Sequence, residues 1–296
     1  MKVKIWFSET RPQFLLLSVV LIFLGTSIAW YEGSLSLSLA LLAFAGLLLL
    51  HISVNTLNDY FDYRSGIDLE VKRTPFTGGS GILPAGLLAP TSVYRFGILC
   101  FLFAIPIGIY FLIRTGLPLL PILIVAAICV LFYTTHLARW QVGEITAGLG
   151  MGTLPVLGAY LVQSGAYSPQ VLVAAIPPGI LVYNLLLLNE FPDVEADKKA
   201  GRRNLPIGLG KGKAAKIYSG LTIAVYIWII PAVAARFMPP FALLGLLTIP
   251  LALGAIRGAL SYEQETKLLP ALGANVFVVL ATPALLAIGY IVGNIL

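Results

Sequence analysis

Apolar stretches of roughly 20 residues follow one another along almost the whole chain, and no other feature narrows its possible folds so far. A helix of that length crosses the hydrocarbon core of a bilayer with its backbone hydrogen bonds satisfied internally. Charge is correspondingly scarce. Of 296 residues 58% are hydrophobic and 11% charged, and the mean hydropathy is +0.93. Soluble domains carry about 25% charged residues, so composition excludes them and predicts an integral membrane protein. The apolar runs leave no room for a separate soluble domain, and residues 1–296 read as one transmembrane domain.

Helices are expected at 13–31, 35–58, 92–113, 117–137, 141–164, 169–190, 213–234, 240–258 and 270–294: an all-α bundle of nine transmembrane helices. Glu32-Gly33, Thr115-Gly116-Leu117-Pro118, Ser164-Gly165 and Pro239-Pro240 mark the joints. Met1–Arg11 is basic, but the apolar run behind it is too long for the core of a cleavable signal and reads as the first span. With a cytoplasmic N-terminus, only Arg114 and Arg236 of the 19 Lys and Arg fall on the opposite side, and the C-terminus lies outside. The formal charge of +6 is thus an orientation signal, and no interleaving of aromatic and basic residues points to nucleic acid. Cys100 and Cys129 lie within apolar runs without metal or redox spacing and read as small buried hydrophobes.

The long connections after spans two and six carry acidic blocks, in contrast to the short turns after spans one, three, five and seven. The blocks are Asn58-Asp59-Tyr60-Phe61-Asp62 with Asp68, and Asn189-Glu190-Phe191-Pro192-Asp193 with Asp197. Their recurrence implies two four-helix pseudo-repeats plus one helix, with the blocks in cytoplasmic cap loops. Carboxylates at a bilayer are costly unless they meet a cation, which makes both blocks functional candidates. Asn189, Asp193 and Asp197 are spaced four apart and would stack on one helix face, bent by Pro192. Asn55/Asp59 and Asn58/Asp62 are i,i+4 pairs, and Gly66 permits a turn that returns Asp68 toward Asp62.

Carboxylate and amide oxygens suit Mg²⁺, which keeps several waters and bridges protein acids to substrate phosphates. Asn58, Asp62, Asp68, Asn189, Asp193 and Asp197 are the expected metal ligands. His51 and His136, the only histidines, lie too far apart in sequence to suggest zinc. Arg73, Arg139, Lys198, Arg202 and Arg203 are candidates to contact phosphate oxygens, and Arg11 joins the substrate-binding set. Lys211, Lys213 and Lys216 read as lipid-facing charges. Tyr133 and Arg139 close span four on the same side. Tyr183, Asn184, Gln163, Tyr160 and Asn275 either line a cavity or hydrogen-bond between helices.

At Asn58 to Asp68, and again at Asn189 to Asp197 followed by Lys198, Gly201 and Leu205, the chain resembles the UbiA superfamily of intramembrane aromatic prenyltransferases. The five residues between Asp62 and Asp68, and the run Arg73-Thr74-Pro75-Phe76-Thr77-Gly78-Gly79-Ser80-Gly81, are similar to the branch that prenylates 1,4-dihydroxy-2-naphthoate for menaquinone. In that family the latter loop helps to cap the active site. Arg139 stands where relatives often carry Lys, and Arg203-Asn204-Leu205-Pro206 replaces their usual Lys/Arg-Thr-Leu-Ala. The resemblance implies Mg²⁺-dependent transfer of a polyprenyl group from its diphosphate to an aromatic acceptor, with loss of CO₂ when that acceptor is dihydroxynaphthoate. It implies catalytic roles for Asp62, Asp193, Arg139 and Tyr133, the last either shielding an allylic cation or packing in the core. Two other readings stay open: geranylgeranyl transfer to a glycerol phosphate lipid, against which the absent Asn-Arg-Pro signature speaks, and a divalent-cation or polyphosphate transporter, whose acids would sit nearer the midplane.

Overall fold

The computed structural model describes residues 2–71, 73–74 and 76–296. Lys72, counted among the cytoplasmic bases, and Pro75 of the cap-loop run lie outside the described residues. A short helix α1 (Lys2–Glu9) precedes α2 (Pro12–Tyr31), α3 (Leu37–Ser65) and the single-turn α4 (Ile67–Glu70). Next come α5 (Pro90–Thr115) and α6 (Leu120–Phe132), the latter entered through a 3-10 turn at Leu117–Leu119. The fifth span joins α7 (Gly143–Gly148) to α8 (Leu154–Ser164), and the sixth joins α9 (Pro169–Ala174) to α10 (Ile176–Asn189). Two short helices, α11 (Val194–Lys199) and α12 (Leu205–Leu209), lead to α13 (Lys211–Ala234), α14 (Ile249–Leu260, behind a 3-10 segment from Pro240) and α15 (Glu265–Ile295).

Local chemistry sets these limits. Pro12, Pro90 and Pro169 open helices, where a missing N–H is harmless. Gly116 and Gly165 follow helix ends at the expected joints, and Gly66 follows α3 at the expected turn. Two departures from the sequence expectation stand out. Helix α3 continues past residue 58 to Ser65, because no breaker intervenes before Gly66; the first acidic block is therefore helical. The fourth span is shorter than 117–137 and stops at Phe132, where Tyr133 to His136 form turns. Among the described residues eight helices are long and apolar enough to cross a membrane, and Leu117–Phe132 is a shorter apolar helix.

Helix α10 is central: 61% of its span is buried, against 22% for α3 and α5. It packs on α7, α13 and α15, while α3 packs on α5 and α2 on α8 and α15. Polar pairs pin the second half. Asn184 donates to Tyr218 O at 3.0 Å and Thr222 Oγ1 at 2.9 Å, and Tyr218 Oη donates to Asn275 at 3.0 Å. Asn184 and Asn275 thus bond between helices, as do Tyr160, which reaches Glu32, and Gln163, which accepts from Ser36 N at 2.7 Å. Residues of α3, α5, α6, α8 and α10 enclose a cavity of about 390 Å³.

Candidate active site

The cavity is apolar through most of its depth, with Leu47, Leu50, Phe111 and Leu123 among its walls, and polar at one end. That end gathers residues from both acidic blocks: Asn58, Asp62 and Asp68 from the first, Asn189, Glu190, Asp193 and Asp197 from the second. Arg11, Tyr133, Arg202 and Asn204 share the same wall. A volume of this size suits an organic ligand, and the combination suits one with an apolar tail and an anionic head.

Each acid is placed by an identifiable local device. Helix α3 delivers Asn55, Asn58 and Asp62 at i, i+3 and i+7 on one face. Gly66 adopts φ +85°, which an L side chain rarely does, and the chain turns so that Asp68 is buried against the same space. The expected helical stripe through Asn189, Asp193 and Asp197 is broken: α10 stops at Asn189, Pro192 falls in the turn, and Asp193 precedes α11. All three still line the cavity. Asp197 is clamped by the following turn, accepting from Arg202 at 3.1 Å and from Asn204 Nδ2 at 3.0 Å. The Arg202 guanidinium also pairs with Asp62, so one cation joins the two acidic blocks. At the surface Lys199 and Glu70 form a second link at 2.7 Å, between α11 and α4. Asn58 Nδ2 donates to Thr134 Oγ1 at 3.1 Å, fastening the end of span four.

The cap loop crosses this end. Asp59, 1% exposed, accepts from Arg11 and from Ser80 N at 2.9 Å, while Ser80 Oγ donates to Glu9 at 2.7 Å. Gly79 passes so close that a Cβ there would stand 3.0 Å from Asp68 Oδ2 and 3.2 Å from an Arg11 nitrogen.

The acids are crowded. Burial, then the neighbouring Asp62 and Asp59, push Asp68 up to about 7. Burial and Asp197 do the same to Asp193, also to about 7. Burial and then Glu144 hold Glu190 well above the carboxylate range, and burial raises Asp197 against the pull of Arg202. Burial and Glu190 raise the Tyr133 phenol, which stays protonated. Burial opposes the charge on Arg202, but Asp62 and Asp197 outweigh it and raise its pKa. Asn189 Oδ1, Glu190 Oε2 and Asp193 Oδ1 are buried without a hydrogen-bond partner. Orphaned acceptors beside raised carboxylates are the signature of a site short of positive charge.

Among the described residues no three His, Cys, Asp or Glu side chains converge into a closed metal cage. The oxygens instead line the cavity mouth, with Arg202 between Asp62 and Asp197. That fits Mg²⁺, which holds few protein ligands directly and completes its shell with water and substrate oxygens. It does not fit zinc, since neither Cys nor His stands at the mouth.

The remaining expected bases are placed differently. Arg139 is exposed and lines a shallower pocket of about 290 Å³ beside Asp62, Thr135 and Arg202. Arg73 donates to Ser80 O and lines a small pocket on the outer side of the cap loop with Arg11 and Gln13. Lys198 is exposed and lines neither pocket. Three residues at the site escaped the sequence reading of ligands. Glu190 stood within a quoted block, and Asn55 belonged to a noted i,i+4 pair. Glu144, which accepts from Leu205 N at 2.7 Å, is a lone acid in the first turn of the fifth span, outside both acidic blocks.

The profile of the UbiA prenyltransferase family matches residues 18–280. The chain belongs to the UbiA prenyltransferase family. Among curated relatives, 1,4-dihydroxy-2-naphthoate octaprenyltransferase of Bacillus subtilis (strain 168) is 27% identical over 266 residues, 89% of this chain and 84% of that one. UbiA prenyltransferase domain-containing protein 1 of Xenopus tropicalis is 29% identical over 83% of this chain and 71% of its own. Among solved structures, the apo UbiA homolog from Aeropyrum pernix K1 superposes with a TM-score of 0.71 at 17% identity, covering 94% of this chain and 97% of that one. A UbiA homolog from Archaeoglobus fulgidus bound to GPP and Mg²⁺ gives 0.61 at 15%, covering 96% and 99%. This prenyltransferase is an integral membrane enzyme, and the cavity is its candidate active site.

Proposed function

We propose that this enzyme transfers a polyprenyl group from its diphosphate to an aromatic acceptor, 1,4-dihydroxy-2-naphthoate first among them, with Mg²⁺ held by Asn58, Asp62, Asp68, Asn189, Asp193 and Asp197. The observation that carries the reading is the pairing of orphaned acceptor oxygens at Asn189, Glu190 and Asp193 with an apolar cavity opening directly beneath them. A prenyl diphosphate has that same division, and the naphthoate relative is matched over most of both chains. Bound Mg²⁺ would supply charge neutralisation for the diphosphate as it departs.

The chain's own residues supply the rest. Arg202 and Arg11, both at the cavity mouth, add fixed positive charge where the leaving group accumulates negative charge. The apolar walls hold the tail and exclude water from the allylic carbon. Tyr133, protonated and facing the cavity, offers a ring face to a developing cation. The basic residues that flank both blocks support a mouth on the cytoplasmic side, with the C-terminus outside.

The test is incubation of purified protein with Mg²⁺, labelled geranylgeranyl diphosphate and a panel of acceptors, with products identified by mass. A prenylated naphthol product, lost in excess chelator and restored by Mg²⁺, is the expected result. Product only with a glycerol phosphate lipid would move the enzyme to another branch, and full turnover in chelator would remove the metal from the reading.

A further inference from the structure

The polar stripe of α3 does not end at the cavity mouth. His51 precedes Asn55, Asn58 and Asp62 at the helical spacing that puts all four on one face, and all four line the cavity. At a rise of 1.5 Å per residue, His51 lies about 16 Å below Asp62 along the helix, far from any diphosphate held there. Its immediate cavity neighbours on α3 are Leu47, Leu50 and Val54. An imidazole there is only 5% exposed, in a stretch of the cavity wall that is mostly apolar.

The histidine is held deliberately. Ser18 of α2, fully buried, lies with its Oγ 2.9 Å from His51 Nδ1. Nδ1 is the one hydrogen-bond partner of that hydroxyl among the described residues, and a buried hydroxyl proton needs an acceptor. Ser18 therefore donates to Nδ1, which fixes the tautomer with the proton on Nε2. No described residue accepts from Nε2. A donor is left without a partner in a cavity whose walls are mostly apolar at that depth.

We propose that His51 is a specificity-determining residue for the acceptor: its Nε2–H, oriented by Ser18, binds an oxygen substituent of the aromatic substrate and sets which ring carbon meets the allylic carbon. This rests on the prenyl-transfer reading above. The prenyl tail has no hydrogen-bonding atom to offer Nε2, and the diphosphate belongs at the mouth. The oxygen-bearing aromatic acceptor is the one substrate with an acceptor atom to bring so deep. Packing between α2 and α3 needs only Nδ1 and leaves Nε2 unexplained.

The test compares acceptor and donor kinetics in His51→Leu, His51→Gln and Ser18→Ala, using dihydroxynaphthoate and analogues lacking the carboxylate or one hydroxyl. Losing one neutral hydrogen bond should raise the acceptor KM of His51→Leu about tenfold while the donor KM stays at the wild-type value. His51→Gln, whose amide N–H can take the place of Nε2–H, should recover most of it. Ser18→Ala should raise the acceptor KM by about two- to threefold, since the tautomer is no longer imposed. For one analogue, missing the oxygen that Nε2 binds, wild type and His51→Leu should have the same KM.

Equal acceptor KM for all three variants would overturn the assignment, as would parallel losses in both substrates' KM. Should His51→Leu fail to fold, His51→Gln and Ser18→Ala decide by the same criterion. Wild-type protein inert toward every aromatic acceptor would remove the prenyl-transfer reading, and this assignment with it. Active wild type with unaltered variants would remove the assignment alone.

Discussion

Arg202 sits where two acidic blocks from distant parts of the chain would otherwise repel each other. It pairs with Asp62 and Asp197 and is itself largely buried. Breaking a buried pair by removing one partner costs about 3–5 kcal/mol, because the remaining charges lose their compensation. Arg202→Gln should therefore melt earlier than wild type in chelator, recover with Mg²⁺, and lose transfer by about 100-fold or more. Arg139→Gln, altering an exposed side chain in the neighbouring pocket, should lose far less. Equal losses in the two would show that Arg202 has no special place.

A pH dependence follows at the same scale. Asp68 and Asp193 are held near 7, whereas an unfolded Asp titrates near about 3.9. Between about pH 4 and 7 the unfolded chain has released protons that the folded protein keeps, so stability falls as pH rises and levels off above 7. Thermal melts in chelator should be higher at pH 5 than at pH 8. Mg²⁺ should narrow the gap and, near pH 6, release protons to an indicator dye. Identical melts at both pH values would contradict the crowding.

At the scale of elements, the sequence shows its helices well and its short spans poorly. The joints at Gly116, Gly165 and Pro240 were legible because Pro and Gly act locally. The extension of α3 to Ser65 was not, since polar residues at a span's end look like loop until the next breaker is known. Likewise Asp193 and Asp197 were readable from their spacing, but the break at Pro192 changes how they meet. Their approach to Asp62 through Arg202 depends on long-range packing that no local pattern records. The cap loop illustrates the tightest of these approaches. Gly79→Ala would place a methyl against Asp68 at φ +70°, a conformation that costs an L residue about 1–2 kcal/mol. Transfer should drop by about tenfold or more while the detergent melt shifts by only a few degrees. A wild-type rate would show that the loop need not close this tightly.

For the whole molecule, the positive-inside expectation puts nearly all bases on the side of the cavity mouth, with only Arg114 and Arg236 opposite. Cysteines placed at exposed Lys198 and Arg236 in a cysteine-free background should be labelled from opposite faces of sealed vesicles. Labelling from one face would invert part of the topology. The architecture also separates duties: α10, α13, α14 and α15 form a tightly bonded block, while α3, α5 and α6 make an outer wall around the cavity.

That outer wall contains the short helix Leu117–Phe132, entered through a 3-10 turn. It covers about 24 Å, less than the roughly 30 Å of a typical hydrocarbon core. Lipid beside α6 must thin, or Tyr133 to Arg139 must sink toward the acyl chains and carry Asn58's partner Thr134 with them. The acyl-chain length of the host membrane thereby becomes a mechanical input to the enzyme, and reconstituted transfer should be fastest in short-chain lipid and slow as the chains lengthen.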